Sequence, residues 1–111
     1  MSVAIGYAAL GGADTTGSYN IAMGINAMDA LTTGTCNIAL GPNALGAATT
    51  GCYNVAIGET TMGVGVTTGL NNTAIGSNAL DALTSGACNI AFGTNALGAS
   101  TTGCLNIALG S

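Results

Sequence analysis

Four cysteines are the most reactive side chains in this sequence. They are Cys36, Cys52, Cys88 and Cys104. A thiol acts as a catalytic nucleophile when a nearby base or cation favours its thiolate form. The 111 residues include no Lys, Arg or His, so we expect no catalytic cysteine and no enzyme. Four cysteines in so short a chain instead suggest disulfide bonds and an oxidising compartment.

Charged side chains are limited to four carboxylates, and the formal net charge is −4. Because these acids are scattered, we predict no site in which several carboxylates surround a cation, and neither a metal nor a cofactor. Without basic residues the chain cannot neutralise phosphate, so we expect no nucleic acid and no anionic membrane surface among its partners. Gly and Asn interrupt every apolar run well short of the roughly 20 residues of a membrane span. The acids are Asp14, Asp29, Glu59 and Asp81.

An internal repeat positions all of these residues. A tetrad of apolar residue, Ala, apolar residue and Gly begins at positions 3, 21, 38, 55, 73, 90 and 107, with Thr73 in one apolar position. Successive tetrads are 17 or 18 residues apart. The pattern recurs after 52 residues, so that Cys36 and Cys52 reappear as Cys88 and Cys104. Three short repeats, later doubled, therefore account for nearly the whole chain.

Each repeat contains two apolar clusters and two turn signals. The tetrad alternates as a short β-strand does, and we expect its first and third side chains to face a core and its Ala to face outward. The second cluster, as in Asn43-Ala44-Leu45, is predicted as a strand or a single helical turn. Thr-Thr-Gly closes the repeat as a corner, where Gly supplies positive φ.

Seventeen residues cannot bury two apolar clusters alone, whereas stacked repeats cover one another. We therefore predict an all-β fold, a parallel β-solenoid in which each repeat forms one coil. Coils spaced by about 4.8 Å give a rod roughly 30 Å long. The predicted single domain, 1–111, consists of coils 3–20, 21–37, 38–54, 55–72, 73–89 and 90–106 and a stub, 107–111.

One repeat also carries a family resemblance. Asn72-Thr73-Ala74-Ile75-Gly76, followed by Asn78-Ala79-Leu80 and Gly86, resembles the head repeats of trimeric autotransporter adhesins and similar 17-residue repeats of phage tail-fibre-like proteins. The resemblance covers almost the whole chain, although adhesin head repeats are usually shorter. It implies a left-handed parallel β-roll, often packed as a trimer, in an extracellular fibrous or adhesive protein.

Stacking limits how the cysteines can pair. Cys36 and Cys88 lie about three coils apart, near 14 Å, as do Cys52 and Cys104, which is beyond disulfide reach. Cys36 with Cys104, and Cys52 with Cys88, also span too many coils. Only Cys36–Cys52 and Cys88–Cys104 join adjacent coils, although strict alternation would point the members of each pair to opposite faces. Three states stay open: a corner that permits these disulfides, bridges between chains, or free thiols.

Two polar rows run along the predicted solenoid. We expect the Asn row to form hydrogen bonds at a corner and a ladder of stacked amides rather than to bind a ligand. Regular outward Thr rows on flat solenoids resemble ice-binding proteins, but adjacent Thr side chains point to opposite faces, so only one per coil should face outward. The Asn row is Asn20, Asn37, Asn54, Asn72, Asn89 and Asn106, and the Thr row is Thr15-Thr16, Thr32-Thr33, Thr49-Thr50, Thr67-Thr68, Thr84-Ser85 and Thr101-Thr102.

Association with copies of itself is the function that these features favour. Solenoids usually need polar caps, whereas Val3-Ala4-Ile5 and Ile107-Ala108-Leu109 are predicted to leave strand edges uncovered. We therefore predict a structural protein that assembles head to tail into a filament. Lateral contact is expected through an outward row of alanines, Ala4, Ala22, Ala39, Ala56, Ala74 and Ala91.

Two alternatives stay open beside the filament. One is a trimeric adhesin-head or phage-fibre segment that binds a host surface, and the other is an ice-binding protein. The cysteines and the fibre-like repeat favour an extracellular location. Met1-Ser2-Val3 nevertheless enters the first coil without a visible signal peptide.

Overall fold

Seven short parallel strands form one sheet in the computed structural model, which describes residues 1–12 and 14–111. Each strand pairs with the next in chain order, so the chain advances by one strand per repeat. The fold is an all-β parallel β-solenoid of about six turns, which confirms the predicted fold class. Position 13 of the predicted coil 3–20 lies outside the described residues. The strands are β1 Val3–Ile5, β2 Ile21–Met23, β3 Ile38–Leu40, β4 Val55–Ile57, β5 Thr73–Ile75, β6 Ile90–Phe92 and β7 Ile107–Leu109.

The register is the same at every step along the sheet. Ala4 lies opposite Ala22, and equivalent tetrad positions pair through to β6 and β7. Like residues therefore stack in columns along a rod with extents of 33 × 20 × 18 Å. Because a slip of one residue would turn every inward side chain outward, this register keeps each column on one face.

The predicted orientation of the strands is wrong. In β2 to β6 the central Ala is fully buried, whereas the first and third side chains face outward and are exposed or half-buried. The thin interior explains the reversal, because Leu and Met side chains fill it from the opposite side and leave room for a methyl group only. These inner side chains are Met28, Leu31, Leu45, Met62, Leu80 and Leu83. Ala22, Ala39, Ala56, Ala74 and Ala91 are thus core residues, while Ala4, in the edge strand β1, is exposed.

The second apolar cluster forms a tight turn, which is neither a strand nor a helical turn. Asn43 and Leu45 have φ values of 55° and 51°, and Ala44 between them is buried. This backbone directs the Leu45 side chain into the core, where it is fully buried. The turn recurs in every coil, with its inner residue at Leu10, Met28, Leu45, Met62, Leu80 and Leu97.

Left-handed backbone is unusually frequent in this protein. Eighteen of the described non-glycine residues have positive φ, and each such residue costs about 1 kcal/mol. Hydrogen bonds between coils hold this backbone in place: the Leu45 N–H donates to Thr61 O at 3.0 Å. One column of these residues directly precedes the Asn row, and we call it the pre-Asn column. It consists of Tyr19, Cys36, Tyr53, Asn71, Cys88 and Leu105.

Candidate functional site

The outward side of the sheet is the most distinctive surface, and we call it the strand face. It consists of the first and third residues of each strand. Ile21, Met23 and Phe92 are 38%, 42% and 40% exposed. Thr73 is its one polar member, and none of its residues is charged. The members are Val3, Ile5, Ile21, Met23, Ile38, Leu40, Val55, Ile57, Thr73, Ile75, Ile90, Phe92, Ile107 and Leu109.

The strand face has the size of a functional apolar patch. Its two columns of side chains lie about 6.6 Å apart, so the face is a stripe roughly 10 Å wide along the 33 Å rod and covers about 330 Å². The largest apolar patch on a soluble monomer usually covers about 300–600 Å² and is often functional. The strand face is thus large enough to be a contact surface, although it is less than half of the roughly 800 Å² that each partner buries in a standard interface.

A signal for the strand face is present in the sequence. The second tetrad position is Ala in all seven repeats, whereas the first includes Val, Ile and Thr and the third includes Ile, Met, Leu and Phe. A closely packed interior tolerates little change in side-chain volume. The uniform position is therefore the inner one, and the variable positions are the outer ones.

The sheet has two edges, β1 and β7. Within the sheet, the first residue of a tetrad donates its N–H to the Asn carbonyl of the next coil, as Ile90 does to Asn106 at 2.8 Å. By the same geometry, the Ile107 N–H points along the rod axis, away from β6. The residues predicted as assembly ends lie in these edge strands: Val3, Ala4, Ile5, Ile107 and Leu109 are exposed, and Ala108 is half-buried.

The Asn row forms a continuous ladder of amides, as expected. Asn72 Nδ2 donates to Asn54 Oδ1 at 3.1 Å and to Gly86 O at 2.9 Å, and Asn54 Oδ1 also accepts the Asn72 N–H at 2.9 Å. Similar bonds link Asn20 through to Asn106, except that Asn54 reaches Asn37 Oδ1 through its backbone N–H alone. Among the described residues, every buried side-chain nitrogen and oxygen has a hydrogen-bond partner. The amides are thus used within the protein, which supports a structural role for the row.

The four cysteines carry free thiols. Cys36 and Cys88 belong to the pre-Asn column, with φ values of 58° and 59°. The chain is not extended at these residues, so alternation between opposite faces does not apply to them. Cys52 stacks on the preceding coil, where the Thr35 N–H donates to Cys52 Sγ at 3.3 Å. Cys36 and Cys52 are half-buried, while Cys88 and Cys104 are exposed.

The Thr pairs serve both the corners and the surface, but the prediction that the Gly after each pair has positive φ is wrong, because positive φ occurs at the tetrad glycines such as Gly41 and Gly58. In four of the six pairs the first hydroxyl donates to the next coil, as Thr15 Oγ1 does to Leu31 O at 2.8 Å. Thr32 and Thr101 are nevertheless exposed, so the expected single outward Thr per coil does not hold in their coils. The reason is that the backbone bends there and does not hold adjacent side chains on opposite sides. The second residue of each pair is exposed throughout, at Thr16, Thr33, Thr50, Thr68, Ser85 and Thr102.

The acids stay dispersed. Within 1–12 and 14–111, no three Cys, Asp or Glu side chains are grouped as metal ligands would be, and no pocket is formed. That part of the chain also contains no helix that is long and apolar enough to cross a bilayer.

No protein-family model, no curated protein and no solved structure matches the chain. The strand face is therefore assigned from its own geometry.

Proposed function

We propose that this protein is a structural solenoid that assembles with copies of itself. The observation that supports the proposal best is the strand face, an uncharged stripe along the rod that is apolar at every member except Thr73. Covering apolar surface is favourable by about 25 cal/mol per Å². Repulsion between copies is weak, since the strand face carries no charge and the chain has a net charge of −4.

The shape of the strand face suits a second copy of itself. First and third side chains form two ridges along the rod, separated by about 6.6 Å because two residues of a strand span that distance. Between the ridges the Ala side chain points inward, which leaves a groove. The ridges of one copy can therefore pack into the groove of another.

Extension into a filament would use the edges β1 and β7. A second copy can continue the sheet, with Val3 opposite Ile107 in the register of the internal pairs and new backbone hydrogen bonds between the strands. The joint is made on the strand side of the coil, where β1 and β7 are the two edges of the sheet. We place the filament outside the cell, where an oxidising medium suits four cysteines.

A closed trimer is the alternative assembly. It follows the resemblance to adhesin-head and phage-fibre repeats, in which case the protein is a fibre segment that binds a host surface. Three strand faces that meet around one axis would bury all the ridges, and the closed symmetry would stop growth at three chains.

Ice binding is a second candidate function. It is supported by the exposed hydroxyl row from Thr16 to Thr102, with a spacing of about 4.8 Å between coils. The row is one residue wide, and several neighbouring Thr hydroxyls donate to backbone carbonyls, so self-assembly has the stronger support. Thermal hysteresis measured at high protein concentration tests this candidate, and its absence would exclude ice binding.

Sedimentation velocity over a concentration series, with negative-stain microscopy, tests self-assembly. We expect association that rises with concentration and rods longer than 33 Å, the length of one chain. Leu40→Lys, on the strand face, should weaken lateral association at least tenfold, whereas Thr50→Lys, on the exposed Thr row, should not. Ile107→Pro removes an edge N–H and should shorten the filaments.

Two outcomes would contradict these proposals. Folded monomers at every concentration would overturn self-assembly, provided that circular dichroism shows the β-solenoid intact. Discrete trimers at every concentration, without longer rods, would overturn the filament and support the closed fibre segment.

A further inference from the structure

We propose that Cys36 with Cys52, and Cys88 with Cys104, are two dithiol sites that close into disulfides across adjacent coils. The reaction needs a small-molecule disulfide as oxidant, such as oxidised glutathione. The proposal is independent of self-assembly, because both sites lie within one chain.

The first site is defined by Thr35. Its backbone N–H and Oγ1 donate to Cys52 Sγ at 3.3 and 3.5 Å, so Cys52 is stacked directly on Thr35. Cys36 is the next residue in the chain. A coil spacing of about 4.8 Å combined with the 3.8 Å step between consecutive Cα atoms gives roughly 6 Å between the Cα atoms of Cys36 and Cys52. Disulfides join Cα atoms about 4.4–6.8 Å apart.

The second site repeats this geometry 52 residues later. The Ala87 N–H donates to Cys104 Sγ at 3.3 Å, and Cys88 follows Ala87 in the chain. Cys88 has the same left-handed backbone as Cys36, with φ of 59° and 58°. The same diagonal placement thus occurs twice, and every other pair of cysteines is separated by two or more coils.

The thiols are accessible to a dissolved oxidant. Cys88 and Cys104 are exposed, and Cys36 and Cys52 are half-buried. One cysteine loses its proton to water, and its thiolate attacks a sulfur of oxidised glutathione. The S–S bond of glutathione breaks, and one glutathione leaves as a thiolate that takes up a proton.

The second step closes the site. The partner cysteine, as its thiolate, attacks the protein sulfur of the mixed disulfide and displaces the second glutathione. Two protein thiols are oxidised to one disulfide, and one molecule of oxidised glutathione is reduced to two thiols. Each disulfide then holds two coils together, and we expect the melting temperature to rise by about 5–10 °C.

The test uses native protein with the Leu40→Lys substitution, at dilutions where it is monomeric, so that failure here cannot be confused with failure to assemble. After oxidation by oxidised glutathione, the intact mass should fall by about 4 Da as two disulfides replace four thiols. Chymotryptic peptides should show Cys36 joined to Cys52 and Cys88 joined to Cys104.

Matched variants identify the pairing. The double variant Cys36→Ser with Cys52→Ser keeps one intact site. Its intact mass should fall by about 2 Da on oxidation. Cys36→Ser with Cys88→Ser leaves one thiol at each site and should form no disulfide within the chain, only glutathione adducts. If the Leu40→Lys protein with all four cysteines yields only glutathione adducts or cross-linked dimers, the proposal is overturned. Equal closure of the two double variants would overturn it as well.

Discussion

Asn37 donates both its backbone N–H and its Nδ2 to the same atom, Asn20 Oδ1, at 2.9 and 3.2 Å. Asn37 Nδ2 also donates forward, to Gly51 O at 2.8 Å. One side chain therefore contacts the coil before it and the coil after it. Because both Asn residues are fully buried, these bonds fix the spacing and register of coils away from water.

Removal of one amide from the ladder should destabilise the protein strongly. Asn54→Ala leaves Gly69 O and the Asn72 N–H without the partners they have at 2.9 Å. Each buried group without a partner costs about 1–3 kcal/mol, so we expect a loss of about 4 kcal/mol in the free energy of unfolding, measured with urea. Asn106→Ala, whose amide bonds only to Asn89, is the control and should cost less than half as much. Equal losses would show that the ladder is not what stabilises the coils.

A more favourable residue at the first left-handed position of the tight turn, the position of Asn43, should stabilise the protein. Thr60 has φ of 53°, where Asn43 and Asn78 have 55° and 57° at the equivalent place. A β-branched residue is strained in this region and Asn is tolerated, so Thr60→Asn should raise the free energy of unfolding by about 1 kcal/mol. Asn78→Thr should lower it by a similar amount, as followed by thermal unfolding. A loss of stability in Thr60→Asn, or a gain in Asn78→Thr, would contradict the left-handed backbone assigned to these positions.

The two sides of a strand should respond differently to added volume. Ala56 is fully buried, so Ala56→Leu forces three extra carbon atoms into a filled core and should cost about 3 kcal/mol. Thr73→Ile places a larger side chain on the strand face and should change the free energy of unfolding by less than about 0.5 kcal/mol. Urea unfolding at low protein concentration compares them. A tolerated Ala56→Leu would mean that the strands are oriented as the sequence alone suggested.

Trypsin provides a simple measure of folding. The chain has no Lys or Arg, so trypsin should leave it intact both in buffer and in urea, as judged by mass spectrometry. Thr50→Lys adds a single site in a corner held by hydrogen bonds between coils, such as Gly51 N–H to Thr67 O at 3.3 Å. Cleavage of this variant should be at least a hundredfold faster unfolded than native. Similar rates in both states would show that the corner opens independently of the fold.

The sequence predicts the strand positions well because the tetrad is repeated seven times. Every strand begins at a predicted tetrad, from Val3 to Ile107. Side-chain direction within the tetrad was harder to predict, because alternation alone does not say which face is the core. That depends on the volume already occupied by residues such as Leu45 and Met62, which belong to a different part of each coil.

The turn of the second cluster could not be predicted from local preference. A leucine such as Leu80, at φ of 51°, is in a conformation that its own propensity disfavours. It is held there by a hydrogen bond from its N–H to Ala96 O at 3.0 Å, in the next coil. Local preference also fails to predict the left-handed backbone of Cys36. This backbone determines which other thiol the Cys36 side chain can reach. Only contacts between coils determine these features.

The uniform step between coils has a consequence for how the chain folds. Paired residues are always 17 or 18 positions apart, as in Ala39 with Ala56, so every coil closes a loop of nearly the same length at nearly the same entropic cost. The first two coils must adopt left-handed backbone before any folded coil exists to which they can form hydrogen bonds. Each later coil pairs with a coil that is already folded, whose exposed backbone groups fix the register of the new hydrogen bonds. We therefore expect nucleation to be the slow step, after which the fold grows along the chain one coil at a time.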